Sequence, residues 1–398
     1  MQGALEGIRV IDLSLLLPGP LCSMYLGDMG ADIIKIENPR MPDMTRLMGS
    51  RVKSADGASD ESGMFLAVNR NKRSITLNLK RPEGREILMR LLEDADILLE
   101  GFRPGALEDM GIGYKQLKEK FPRLIYCAIS GYGDSGPYRR LAGHDANYIA
   151  YSGLLGITGE ADGAPVLPGV QVADIGGGTL TALSSILAAL FARERTGQGQ
   201  FLDISMMDGA FAFLSIHAGE YLATGREPER GRMSLSGGLT NYQVYRTRDD
   251  RYVMLGALEE RFFRSFLRQV GREELLEGRD LSPEGVAGLR PELERIFAER
   301  TRDEWAELFA NADTCLAPVN SMAEAFADPQ LKERGMVVEM DHPKLGAVTM
   351  IGSPFHMSET PASYRLPPPE HGEHTAEVLG PLGYDADRLE ELKRKRVI

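Results

Sequence analysis

The sequence predicts an α/β protein with a large parallel-sheet domain and a smaller α+β domain. Three observations carry this. Short β-branched runs alternate with helix-like segments through the first half of the chain. After about Gly225 the stretch REPERGRMSLSGG is polar, charged and glycine-bearing, as a linker is. Beyond it, short strands and helices mix. The expected division is a large domain at 1–225, a small α+β domain at 226–330 and a C-terminal segment at 331–398.

The elements read in order as follows. Ile8 to Ser14 (IRVIDLS) is a short buried strand, and a break at Pro18-Gly19-Pro20 follows. The helix-like LCSMYLGDMG and the β-branched ADIIKIE complete a strand–helix–strand unit, the usual building block of a parallel sheet. SITLNLK alternates like a strand, REILMRLLEDA has helical spacing, and DILLEGF and LIYCAIS are strands. Asp174 to Arg195 is a long, largely apolar helix with a glycine-rich start, and FLDISMM is a further strand. In the second domain NYQVYRT and RYVMLGA read as strands, PELERIFAER and RDEWAELFAN as helices. Leu366–Glu370 is an extended strap, and EHTAEVLGPLG a short helix.

At 398 residues the chain exceeds one ordinary domain. Hydrophobic residues make up 43% and charged residues 26%, which supplies sizeable cores without disulfides. The net charge of −12 argues against nucleic acid, whose phosphates need a basic face. A small anionic ligand needs only a few local cations. Cys22, Cys127 and Cys315 lie far apart with no CxxC pair, which reads as a reduced, cytoplasmic protein without a zinc motif. No stretch approaches the roughly 18 apolar residues of a membrane span, and MQGALEGIRV lacks the regions of a signal peptide.

Gly131-Tyr132-Gly133-Asp134-Ser135-Gly136 fits a dinucleotide fingerprint, but Pro137 follows and no amphipathic helix starts there. A glycine-rich surface turn is the better reading. His371 and His374 lack a cluster of further ligands, so no metal site is expected. Asp174 is followed by Gly176-Gly177-Gly178. It reads equally as a plain helix N-cap or as a carboxylate beside free helix N–H groups, where glycines admit a ligand. His144, beside Asp145 in a glycine- and arginine-rich loop, has the side chain best suited to carry a proton near neutral pH. Glu259 stands between a strand and a helix and alone reads as an ordinary first-turn acid.

Taken together these segments resemble the family III CoA-transferase and α-methylacyl-CoA racemase superfamily, the CaiB/BaiF family. The resemblance is carried by LEGIRVIDLSLLLPGP, YLGDMGADIIKIENP, NRNKRSITLNLK, GREILMRLLEDADILLEGFRPGALEDMG, SGYGDSGPYRRLAGHDANYIAYSG, ADIGGG and RTGQGQFLDISMMDG. It implies a Rossmann-like large domain to which the C-terminal segment returns. It also implies interlocked chains in a homodimer, with each site between the large domain of one chain and the small domain of the other. The substrate it implies is an acyl-CoA thioester.

The family contains two chemistries. Transferases use an aspartate, matched by Asp174, as nucleophile and move CoA between carboxylic acids through a mixed anhydride. Racemases exchange the proton beside the thioester carbonyl, with a base on each face of an enolate. AGHDANY, Pro18-Gly19-Pro20, GALEERF and the short glycine pair of LSGGLTNYQVY resemble the racemase branch. The resemblance then assigns catalysis to His144, Asp174 and Glu259, with helix N–H groups on the enolate oxygen. It assigns CoA binding to Leu17, Pro18, Asn38, Asn69, Arg70, Asn71, Lys72, Arg73, Gly101, Phe102, Arg103, Gly143, Asp145, Ala146, Asn147 and Tyr148.

Two positions depart from the family pattern. Asn38 and Asp109 stand where many members carry cations near the phosphates, so Lys35, Arg70, Lys72, Arg73 and Arg103 are expected to compensate. A segment at about 42–62 is longer than in typical racemases and reads as a flexible loop near the entrance. Met206, Met207 and Phe211 to Phe213 are candidates for the acyl surface, although such residues are more often core.

Overall fold

A computed structural model describes residues 3–280, 282, 285, 286 and 288–398. The chain folds as two compact units: residues up to Ser152 with Val170–Phe213 and Pro329–Ile398, and Gly153–Gly169 with Leu214–Asp328.

The first unit begins with β1 (Arg9–Asp12), β2 (Asp32–Glu37), a hairpin of β3 (Arg51–Lys53) and β4 (Asp60–Ser62), then β5 (Lys72–Thr76), β6 (Ile97–Glu100), β7 (Ile125–Ser130) and β8 (Phe201–Ser205). Six of these make one parallel sheet in the order β5-β2-β1-β6-β7-β8. Its central strands read as unbroken apolar runs because both faces are covered: Val10, Ile11, Ile97, Leu98, Leu99, Ile125 and Cys127 are fully buried. Chain order reverses beside β1, with β2 and β5 on one side and β6, β7 and β8 on the other. Loops leaving neighbouring strands diverge at such a point and open a crevice at the carboxyl ends of the strands.

The second unit holds an antiparallel sheet of β9 (Tyr242–Arg246), β10 (Tyr252–Gly256) and β11 (Leu316–Pro318), ordered β11-β10-β9. Its core is aromatic, with Tyr245, Phe266, Phe297, Phe309 and Trp305 in ring contact. Gly153–Gly169, expected in the large domain, belongs here instead. Arg230 donates to the carbonyl of Gly156 at 2.9 Å and also reaches the carbonyl of Gly163.

The C-terminal residues return to the first unit. They include the hairpin of β12 (Val337–His342) and β13 (Gly346–Ile351), whose apolar face joins Leu66. The strap is tied by Asn71, whose N–H donates to the Leu366 carbonyl at 2.8 Å and whose side chain donates to the Ser363 carbonyl. His371 faces the Asn38 carbonyl, and His374 Nδ1 accepts from the Ser74 N–H.

Two expectations change. The 42–62 segment has regular structure. Asp43 caps the 3₁₀ turn Met44–Arg46, the β3–β4 hairpin follows, and Arg46 is held by Glu37 and lies over the Phe65 ring. Within the 24-residue helix from Ala173 to Thr196 an 18-residue window reaches a mean hydropathy of 1.7, so by length and composition one stretch does reach a membrane span. The core helix of a folded domain meets the same criterion. This one buries Ala182, Leu183, Ile186, Ala189 and Leu190 in the first unit.

Candidate active site

A cavity of about 530 Å³ opens at the switch point, between the loops that leave β1, β6, β7 and β8. Of the residues singled out from the sequence, Pro18, Gly101, Phe102, Arg103, Gly143, His144, Asn147, Tyr148 and Asp174 line it, and so does Met206. Leu17, Asp145 and Ala146 flank lining residues in the chain. Asn38 lines a smaller, mostly apolar pocket of about 200 Å³ with Leu77, Leu79 and Lys80; the two hollows share Leu15 and Phe102.

The wall after β1 is built on buried charge. Asp12 accepts from the Ser14 N–H at 2.8 Å and from the Ser23 hydroxyl at 2.5 Å. Leu16 is held at φ 67°, a strained conformation for a branched side chain, and its N–H donates to Asp43 at 3.2 Å. Lys35, fully buried, donates to the Ser14 carbonyl and to Asp43, both at 2.9 Å. One ammonium therefore fixes both sides of the turn. Gly19 is needed there because a Cβ would lie 2.2 Å from the Ser14 side chain.

The opposite wall carries the two candidate bases. His144 is the exposed N-cap residue of the helix Asp145–Tyr151, and its backbone N–H donates to the Asn147 side chain at 3.0 Å. The Tyr148 hydroxyl donates to the Gly143 carbonyl at 2.5 Å and so anchors the residue before His144. Burial, with Asp174 next, pushes Tyr148 up to about 12, which keeps this donor protonated. Asp174 sits inside a π-helical stretch, Ala173–Leu180, that runs on into the α-helix Thr181–Thr196. Burial and the charge of Asp145 push Asp174 up to about 6, while a charged His144 opposes the rise. Such wide helical turns recur at functional sites because they redirect one side chain without ending the helix.

Several expectations are corrected by this geometry. The N–H groups of Ala173 and Asp174 are not free for an oxyanion, because Asp145 accepts both at 2.6 and 3.1 Å. Asp145, not Asp174, caps the long helix. The glycines after Asp174 are needed for helix packing. A Cβ on Gly177 would lie 2.4 Å from the Met206 carbonyl, and one on Gly176 at 2.4 Å from the Phe213 ring.

Most of the expected phosphate cations are engaged internally. Arg70 is fully buried on Asp28 at 2.6 Å, and Lys35 on Asp43. Lys72, fully buried, donates to the Pro20 carbonyl and to Asn69 at 2.8 Å, and burial pushes it down to about 7. Arg73 pairs with Asp32 at 2.7 Å and with Glu377 at 3.0 Å. Asn69 and Asn71 are buried beside them. Of the five cations expected, Arg103 alone lines the cavity. Glu259 lies in the second unit, as N-cap residue of the helix Glu260–Gln269, and is not among the lining residues. The glycine motif at 131–136 is a turn, as expected, with Gly133 and Gly136 at positive φ, yet Gly131 and Tyr132 line the cavity.

Sequence reasoning missed Arg139 and Arg140, which line the cavity just before the His144 loop, and Lys80 in the adjoining pocket. Their signal was present: twin arginines follow the glycine turn, and Lys80 ends the run SITLNLK.

Comparison with known proteins places this geometry. The model of the family described as CoA-transferase family III matches residues 5–375. The human succinyl-CoA:glutarate CoA-transferase is 36% identical, over 99% of this chain and 90% of that protein. The human alpha-methylacyl-CoA racemase is 35% identical, over 99% and 97%. A CAIB/BAIF family protein of Brucella suis has a solved structure that aligns with a TM-score of 0.84 at 32% identity, covering 96% of this chain and 100% of that one. Enzymes that move CoA and enzymes that racemise acyl-CoA are thus about equally similar to it. The chain belongs to CoA-transferase family III.

Proposed function

We propose that the protein racemises or epimerises the 2-position of an α-branched, 2-methyl type acyl-CoA by two-base proton exchange. The observation that carries this reading is that His144 and Asp174 line one cavity and are electrostatically linked. A thioester acidifies the proton on its α-carbon. One base removes that proton, the electron pair moves into the carbonyl as an enolate, and the other base returns a proton to the opposite face. This requires one group protonated and the other not. A carboxyl held near 6 can be in either state near neutral pH. The first helix N–H groups being bonded to Asp145, the enolate oxygen takes its donors elsewhere in the cavity.

The same reading includes a homodimer in which the smaller unit, with Glu259, completes the site. Sedimentation at twice 43.8 kDa tests that part.

A second reading follows from the similarity to succinyl-CoA:glutarate CoA-transferase. Asp174 would attack the thioester carbonyl and expel CoA thiolate as an acyl-aspartyl anhydride forms. The thiolate would then displace the first carboxylic acid to give an aspartyl-CoA thioester. An acceptor carboxylate would attack that thioester, form a second anhydride and take up the expelled thiolate as its own CoA thioester, freeing Asp174. One experiment separates the two. A 2-methylacyl-CoA is incubated in deuterated water with no acceptor acid. The racemase reading requires deuterium at the α-carbon and loss of optical purity. It also requires His144→Ala to lose nearly all of that exchange. CoA transfer that needs an added carboxylic acid, without α-deuterium, refutes it.

A further inference from the structure

We infer that Glu100 is a positioning residue of the cavity: held uncharged at the end of β6, it seats the loop 101–104, and its ionisation releases that loop. Gly101, Phe102, Arg103 and Pro104 all line the cavity. Glu100 ends β6 directly before them and is 7% exposed. Its Oε2 accepts the Phe102 N–H at 2.6 Å, so this carboxyl fixes the start of the loop.

Five carboxylates are buried among the described residues: Asp12, Asp28, Glu37, Asp43 and Glu100. Four of them meet a buried lysine or arginine. Asp12 lies 3.5 Å from Lys72, Asp28 2.6 Å from Arg70, Glu37 2.9 Å from Arg46 and Asp43 2.9 Å from Lys35. Glu100 makes no ion pair among the described residues; besides the Phe102 N–H it meets the Tyr126 hydroxyl, which donates to Oε1 at 3.4 Å. A buried carboxyl without a cation keeps its proton, because burial disfavours the charged form.

The charged groups around it favour the same state. Glu108, on the helix Ala106–Asp109, and Asp134, in the glycine turn after β7, are both acids. Arg139, the cation beside them, is committed to Asp134 at 2.9 Å. On β1 the acid is Asp12, bonded to Ser14 and Ser23. Tyr126, on β7, is raised by burial and then by Glu100, so it stays protonated. Burial pushes Glu100 from 4.5 up to about 8; Glu108 and Asp134 add to the rise, while the Phe102 N–H and Tyr126 oppose it. The seated loop therefore binds this proton more tightly than an open loop that lets water reach Glu100. The stability that the proton confers is fully present below pH about 4.5 and is lost as pH rises through about 8.

The test is backbone hydrogen exchange of the full chain from pH about 5 to about 9, read on peptides that cover Phe102 and corrected for intrinsic exchange rates. In wild type, protection of this segment should fall about tenfold per unit up to pH about 8, the linkage of one proton, and then level off. Glu100→Gln keeps a neutral acceptor for the Phe102 N–H, and its protection should not change with pH. Glu100→Ala has no acceptor and should lose protection at every pH. Glu108→Gln, at an exposed position, removes a charge that raises Glu100. It should protect the segment better than wild type at pH about 8 and equally at pH about 5. A merely structural Glu100 would change protection by one factor at all pH values. Parallel profiles for wild type and Glu100→Gln overturn the inference. So does a Glu100→Gln segment as poorly protected at low pH as that of Glu100→Ala. Should Glu100→Gln fail to fold, a Glu108→Gln profile identical to wild type overturns it instead. Exchange needs no ligand, so these outcomes stand whichever reading of the reaction holds.

Discussion

Replacing Asp174 with asparagine is expected to make the fold more stable at neutral pH while removing proton exchange. Asp174 is raised from the ordinary 3.8 to about 6, chiefly by burial, then by Asp145, with His144 opposing. A raised carboxyl means that the native state binds the proton more tightly than the unfolded chain. The associated stability is fully present below pH about 4 and is lost as pH rises through about 6. A shift of about two units corresponds to about 3 kcal/mol, and partial solvent contact reduces that to about 1–3 kcal/mol. Ionised Asp174 therefore destabilises the native state at neutral pH, and a neutral amide of the same shape does not. Urea unfolding of both proteins at pH about 7.5, 6 and 4 measures the difference. Asparagine should gain about 1–3 kcal/mol at the highest pH, and the gain should vanish near pH 4. Equal stability at pH 7.5, or a gain that ignores pH, would refute the account of Asp174 as a carboxyl strained by burial.

Three further outcomes follow from the same contacts. Asp145→Asn removes the charge that raises Asp174 and weakens the acceptor for two helix N–H groups. The acid limb of the exchange profile should move to lower pH, with about 1 kcal/mol of stability lost, as a pH–rate series and urea titration would show. Gly177→Ala puts a Cβ 2.4 Å from the Met206 carbonyl, so thermal melts should show about 1–3 kcal/mol of destabilisation despite the better helix propensity of alanine. Lys35→Met leaves Asp43 buried without its cation and frees the Ser14 carbonyl, and about 3–5 kcal/mol should be lost in urea unfolding.

Much of the architecture was readable from local pattern. IRVIDLS, ADIIKIE, DILLEGF and LIYCAIS became β1, β2, β6 and β7 because continuous β-branched runs fit only strands covered on both faces. The 42–62 segment misled for the converse reason. Its polar, glycine-bearing composition is that of a loop, while its order comes from Arg46 meeting Glu37 and Phe65. His144 and Asp174 were legible because AGHDANY and ADIGGG are compact motifs. Whether they share a cavity was not, since 30 positions separate them and only the meeting of two helix starts joins them.

The sequence by itself determined the alternation of strand and helix, the change of texture after Gly225 and the family. These follow from local periodicity and from motifs in a fixed order. Tertiary structure alone decided which charges remain for a ligand. Arg70 meets Asp28 across 42 positions, and Arg73 meets Glu377 across 304, so both are neutralised inside the fold. Arg103 and Arg140 line the cavity, are exposed, and make no ion pair among the described residues. Coulomb attraction acts through space and not along the chain. A count of lysines and arginines gave the net charge of −12, but their placement gave a cavity of the opposite sign.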